Sequence, residues 1–206
     1  MATDLAPRFQ YPTYLLRRQF FKLFGAAFHI YGPDGELAFY SKQKAFKLKE
    51  DIRLYADESA AEEVLTIKAR SWLDFAAAYD VVDTQTGEKV GGLKRRGFKS
   101  LIRDEWTFMD ADDNDIGLIQ EESTLMGLVR RFVPYGHFIP QKFVGTVQGQ
   151  PVGEFRQHFN PIVQKITLDF SMDTGNLLDR RLGLAAAILL CAIEGRQDDS
   201  GISLDI

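Results

Sequence analysis

The sequence predicts a mainly β protein built around one enclosed hydrophobic helix. Three observations lead there. Aromatic residues are plentiful, with 16 Phe, 7 Tyr and 2 Trp in 206 residues, and such side chains suit a pleated, half-buried surface. Four turn signals are each flanked by alternating apolar runs, which is the pattern of β-hairpins. Near the C-terminus, residues 182–193 are uncharged and almost wholly apolar.

Residues 1–11 read as a lead-in, and the first strand-like run is 15–21. Phe28-His-Ile-Tyr then enters Gly32-Pro-Asp-Gly35 and returns as Glu36-Leu-Ala-Phe-Tyr40. Strand-like runs 52–56 and 64–70 follow. Tyr79-Asp-Val-Val enters Asp83-Thr-Gln-Thr-Gly87 and returns as Glu88-Lys-Val-Gly-Gly-Leu93. Trp106-Thr-Phe-Met enters the acidic turn 110–115 and returns as Ile116-Gly-Leu-Ile119. Phe143-Val-Gly-Thr-Val enters Gln148-Gly-Gln-Pro151 and returns as Val152-Gly-Glu-Phe155, and a last strand covers 165–170. Gly, Asp, Asn and Pro stand where the chain must reverse. Three return strands carry Gly directly after their first apolar residue, at Val90-Gly91, Ile116-Gly117 and Val152-Gly153. Such a glycine marks a bulge or a close backbone approach, so the hairpins read as a degenerate repeat. Between them, 121–131 suits a short helix with Leu125, Leu128 and Val129 on one face.

The apolar run is about 18 Å long as a helix, whereas a bilayer core needs roughly 20 apolar residues. It does not span a membrane. With no polar face it must be enclosed by protein. The expected helix covers 177–194, from an N-cap at Asn176 to a stop at Gly195, with a polar tail at 196–206.

Charge excludes some functions. The net charge is −4, with 17 Lys and Arg against 15 Asp and Glu in residues 1–105 and 8 against 14 thereafter. That distribution is not that of a nucleic-acid binder. The lone Cys191 rules out an internal disulfide and fits a reducing compartment, and no signal peptide is visible at the start. No catalytic motif of the elbow, phosphate-loop, zinc-protease or dinucleotide type is present. The reading leans away from an enzyme.

The repeated hairpins at 28–40, 79–93 and 106–119, the midpoint Leu128-Val-Arg-Arg-Phe132 and the ending Leu178-Asp-Arg-Arg-Leu-Gly-Leu-Ala-Ala-Ala-Ile188 together resemble the Tubby C-terminal-like superfamily. The likeness is to its phospholipid scramblase and LURP-one-related branch, and it covers roughly 12–195. The resemblance implies a single domain, a closed antiparallel barrel of about twelve strands around the C-terminal helix. Closure removes exposed strand edges, and the helix fills a lumen too wide for strand side chains alone. It also implies a non-catalytic binding module in the cytoplasm, peripheral at the membrane, whose partner is anionic phospholipid headgroups or a protein. The alternatives are a structural or regulatory protein-interaction domain without a lipid role and, less favoured, an enzyme with a site on the barrel rim. Unlike scramblases, the chain shows no Pro- and Cys-rich arm and no carboxylate-lined calcium loop before the helix.

Two constellations are candidate sites. Lys94, Arg95, Arg96, Lys99 and Arg103 form the densest basic cluster, with Phe98 among them. Each such cation near an anionic membrane contributes about 1 kcal/mol. Lys42, Lys44, Lys47 and Lys49 make a second cluster. Flanking Glu50, Asp51, Asp104 and Glu105 also allow an ordinary solvated surface. Asp110, Asp112, Asn114 and Glu121 fall at the first, third, fifth and twelfth positions of a calcium-loop register. Asp115 occupies the place of the required glycine, so the competing reading is a solvated acidic hairpin tip; calcium is the one cofactor weighed. His29, His137 and His158 lack metal-ligand spacing.

Overall fold

The computed structural model describes residues 5–21, 25–43, 51–70, 78–95, 105–122, 140–158 and 163–194. A short 3-10 turn at Pro7–Phe9 opens the chain. The strands are β1 (Thr13–Phe21), β2 (Gly25–Tyr31), β3 (Leu37–Gln43), β4 (Ile52–Tyr55), β5 (Glu63–Ala69) and β6 (Ala78–Asp83). They continue as β7 (Lys89–Arg95), β8 (Glu105–Met109), β9 (Asp115–Glu121), β10 (Lys142–Val147), β11 (Gln150–His158) and β12 (Gln164–Asp169). The helix α1 is Arg180–Glu194. Every strand pairs with its sequence neighbours, and β1 closes the barrel on β12 in a register running from Thr13↔Asp169 to Arg18↔Gln164.

The hairpin repeat is physical. In five hairpins the register skips one residue on the return strand, namely Ala38, Val64, Val90, Ile116 and Val152. Each is a bulge that adds local twist and bends the wall. The glycines after Val90 and Ile116 are there because backbone comes close. A Cβ on Gly91 would lie 2.5 Å from the Met109 carbonyl oxygen, and one on Gly117 would overlap the Thr146 carbonyl. The hairpin β4–β5, read from sequence only as two runs, shares the device.

The inward face of the wall is apolar: Leu16, Ile30, Phe39, Leu54, Ile67, Val81, Leu93, Phe108, Phe143, Phe155 and Leu168 are buried. They enclose α1, whose residues 184–190 are at most 2% exposed. Phe9 in the lead-in stacks 4.6 Å from Phe39, closing one part of the wall.

The helix begins later than expected. Asn176 sits in a left-handed turn at φ 49° and is not the N-cap. Asp179 takes that role, with its Oδ1 accepting the Arg181 N–H at 2.9 Å and its carbonyl accepting the Gly183 N–H. Asp173 fixes the approach by accepting the Leu177 and Leu178 N–H groups. Gly183 leaves room for Phe170, whose ring would stand 2.5 Å from an added Cβ. Arg181 pairs with Asp83 at 2.7 Å, tying the helix start to the end of β6. Burial opposes the Arg181 charge, but Asp179 and Asp83 more than offset it and hold its pKa above the ordinary value. At the other end Arg18, 2% exposed, donates from Nη1 to the Cys191 and Ala192 carbonyls at 3.0 and 3.3 Å. A cation there complements the negative end of the helix.

Candidate functional site

Since α1 fills the lumen, chemistry available to a ligand lies on the outer wall and at the rims. Lys94, exposed, and Arg95, half-buried, end β7 opposite Thr107 and Trp106 of β8. They begin the basic segment; Arg96, Phe98, Lys99 and Arg103 lie outside the described residues, as do Lys44, Lys47 and Lys49 of the second cluster. The 123–131 segment and His137 also lie outside them. Lys42 is exposed on β3.

The acidic hairpin tip is ordered by its own hydrogen bonds. Asp110 Oδ1 accepts the N–H groups of Asp112 and Asn114 at 2.9 Å, and Asn114 Nδ2 donates to Oδ2. The Asn114 contacts hold the Asp110 carboxyl below its usual range. Glu121 stands at the far end of β9, about 20 Å from the tip by strand rise. The structure therefore brings Asp110 and Asn114 together and leaves Glu121 apart. Among the described residues no group of three or more His, Cys, Asp or Glu side chains is placed to hold a metal ion.

Asp113, which the calcium register passes over, is the residue of that turn that reaches other strands. Its carboxylate takes Lys89 at 2.6 Å and also Arg70, while Asp80 takes Arg70 at 2.7 Å and Lys89 at 3.2 Å. Lys89 and Arg70 together hold the Asp113 carboxyl below its ordinary value. This face carries two cations and two carboxylates in mutual contact. It is neutral by construction.

Diametrically across the barrel from β7, the outer face of β1 differs. Pairing registers place Tyr40, His29, Arg17, Lys165 and His158 in one cross-strand row over β3, β2, β1, β12 and β11. His29 contacts Glu58 at 3.1 Å, and His158 contacts the Thr167 hydroxyl at 2.7 Å. Beside the row is a groove of about 390 Å³ lined by Thr13, Leu15, Arg17, Tyr31, Pro33 and Thr167 among others. Its floor includes Tyr14, whose hydroxyl donates to the Arg8 carbonyl at 2.9 Å; burial pushes that hydroxyl's pKa up. Sequence reading missed this face, since Arg17 and Lys165 meet only through barrel closure. Cys191 is buried on α1 and forms no disulfide.

With this geometry described, comparison with known proteins adds a family match. Residues 37–191 match the LURP-one-related family model. No curated protein matches the sequence. A solved structure, an Arabidopsis thaliana protein determined by X-ray crystallography, is 13% identical, with a TM-score of 0.47 over 96% of this chain and 99% of that one.

Proposed function

The chain belongs to the LURP-one-related family, and from that premise we propose that it is a non-catalytic binding module that engages anionic phospholipid headgroups. The contacts are Lys94, Arg95, Arg96, Lys99 and Arg103, and the module works peripherally at the cytoplasmic face of a membrane. The observation that carries this reading is the filled lumen: with residues 184–190 of α1 at most 2% exposed, a partner must be met from outside. The densest basic segment of the sequence begins at Lys94 and Arg95, where β7 ends on the outer wall. Among the described residues no helix is long and apolar enough to cross a membrane, so attachment through surface charge suits the molecule. Such attraction falls off within a Debye length and weakens with salt.

The test is co-sedimentation with neutral and anionic vesicles, at low and moderate salt, with and without calcium. Binding restricted to anionic vesicles, weakened by salt and lost on changing the five cations to Glu, is the expected result. Calcium dependence would bring the Asp110–Asn114 turn into the mechanism. Binding that survives charge reversal would overturn the basic segment's role. Absence of binding to any vesicle would favour a protein partner.

A further inference from the structure

The outer face of β1 carries a separate site. Arg17 and Lys165 stand directly opposite each other across the β1–β12 pairing, where side-chain Cβ atoms are about 4.5–5.5 Å apart. Like charges so placed repel. Among the described residues neither cation has a carboxylate partner, and no further interaction of either is left unaccounted for. The nearby acids are engaged elsewhere. Glu58 meets His29, Glu154 holds Lys142 and Arg156, and Asp169 Oδ1 accepts the Ser171 N–H. Arg17 lies 5.8 Å from the centre of the Tyr31 ring, and its Nε is covered without a hydrogen-bond acceptor. A covered, unsatisfied donor is costly. The face thus combines two uncompensated positive charges, an unused donor, an aromatic wall and a groove of about 390 Å³.

We propose that this groove binds a small phosphate monoester with a flat body. The charge count selects the chemistry. A phosphate monoester carries about −1.5 to −2 at neutral pH and several acceptor oxygens, which matches two cations better than a monocarboxylate does. Arg17, which lines the groove, and Lys165, which flanks it opposite Arg17 on β12, take the phosphate; Tyr31, Leu15 and Pro33 take the planar part. The site lies half-way round the barrel from Lys94 and Arg95, so it stands or falls independently of the lipid reading.

Phenyl phosphate is the probe, with benzoate and inorganic phosphate as comparisons. The readouts are calorimetry and the NMR resonance of the Arg17 Nε–H. Phenyl phosphate is expected to shift that resonance and to bind more tightly than either comparison. Arg17→Gln and Lys165→Gln should each weaken it about tenfold, the worth of a charge-assisted hydrogen bond. Lys89→Gln, on the neutralised face, should leave it unchanged. An Nε–H resonance unmoved at saturating phenyl phosphate, a measurement needing no variant, would overturn the proposal. So would equal affinity in the two Gln variants once circular dichroism shows them folded. Vesicles containing phosphatidic acid distinguish the source: competition with phenyl phosphate that Arg17→Gln abolishes would mean the monoester arrives on a lipid, overturning the small-molecule ligand.

Discussion

Arg17 and Arg18 are adjacent on β1 and live in different physical regimes, because alternate residues of a strand face opposite sides. Arg18 points into the barrel, is 2% exposed and donates to the last carbonyls of α1 and to Gln164. Arg17 points outward, touches the Tyr31 ring and finds no acceptor among the described residues. The inner cation is tolerated only because its acceptors are supplied, since an isolated buried charge is prohibitive. The outer cation is half-buried, keeps part of its guanidinium in water and has no protein acceptor among the described residues. Partnership inside the wall therefore reports on folding. Its absence outside, beside a groove, reports on what the surface can still accept.

The largest effect should come from a lumen charge without supplied acceptors. Leu189 is 1% exposed within the apolar part of α1. Leu189→Lys should cost several kcal/mol, comparable with a total stability of about 5–15 kcal/mol. Urea and thermal melts followed by circular dichroism should show loss of the cooperative transition. A variant that melts like the parent would break the distinction between inside and outside. Arg18→Met keeps an apolar stem but removes the guanidinium that donates to the Cys191 and Ala192 carbonyls. Its expected cost is roughly 2–3 kcal/mol, as for hydrogen bonds to a charged group, read as a lower urea midpoint at unchanged slope.

The barrel was legible in residues that obey local rules, and the candidate site largely was not. Turn residues announced the hairpins, and Gly91 and Gly117 announced bulges whose backbones press on Met109 and Thr146. The apolar run announced an enclosed helix. Asn176 misled because a good capping residue also suits a left-handed turn, whereas Asp179 holds the actual cap. The calcium register placed Glu121 by sequence spacing. An extended strand then carried it away, where a loop would have folded it back. The Asp113–Arg70–Lys89–Asp80 network joins β6, β7, the residue just after β5 and a turn, and the Arg17–Lys165 pair spans the closure of the barrel. Neither leaves a trace in local sequence, because strand register creates both.

A smaller effect separates the two outer faces. Arg70 and Lys89 depress the Asp113 pKa below its ordinary value near 3.8. A carboxyl depressed by folding stabilises the protein above the unfolded-state pKa, and that contribution is lost as pH falls through the folded-state value. Asp113→Asn should therefore flatten the acid limb of a plot of melting temperature against pH, with little change near neutrality. Arg17→Gln should leave the acid limb as it was, having no carboxylate partner. An identical acid limb in Asp113→Asn would mean that the network is not populated in solution.

The smallest effect is the most discriminating for the groove. Removing Arg17 gives up a cation–π contact of about 0.5–1 kcal/mol and relieves repulsion from Lys165 of about 0.2–1 kcal/mol. The covered Nε donor, whose unmet hydrogen bond costs stability, is removed as well, so Arg17→Gln should be neutral to slightly stabilising, in the range of ordinary surface substitutions. Lys165→Gln only relieves repulsion and should be slightly stabilising, by an amount that shrinks as salt is raised. Urea denaturation at two ionic strengths checks both signs. Phenyl phosphate then separates silence from irrelevance. A ligand that binds only the folded state raises stability in proportion to the logarithm of its concentration over its dissociation constant. The parent should gain stability with added phenyl phosphate while both Gln variants gain much less. A cost above about 1 kcal/mol for Arg17→Gln without ligand would make Arg17 a structural residue like its neighbour, and the contrast along β1 would collapse.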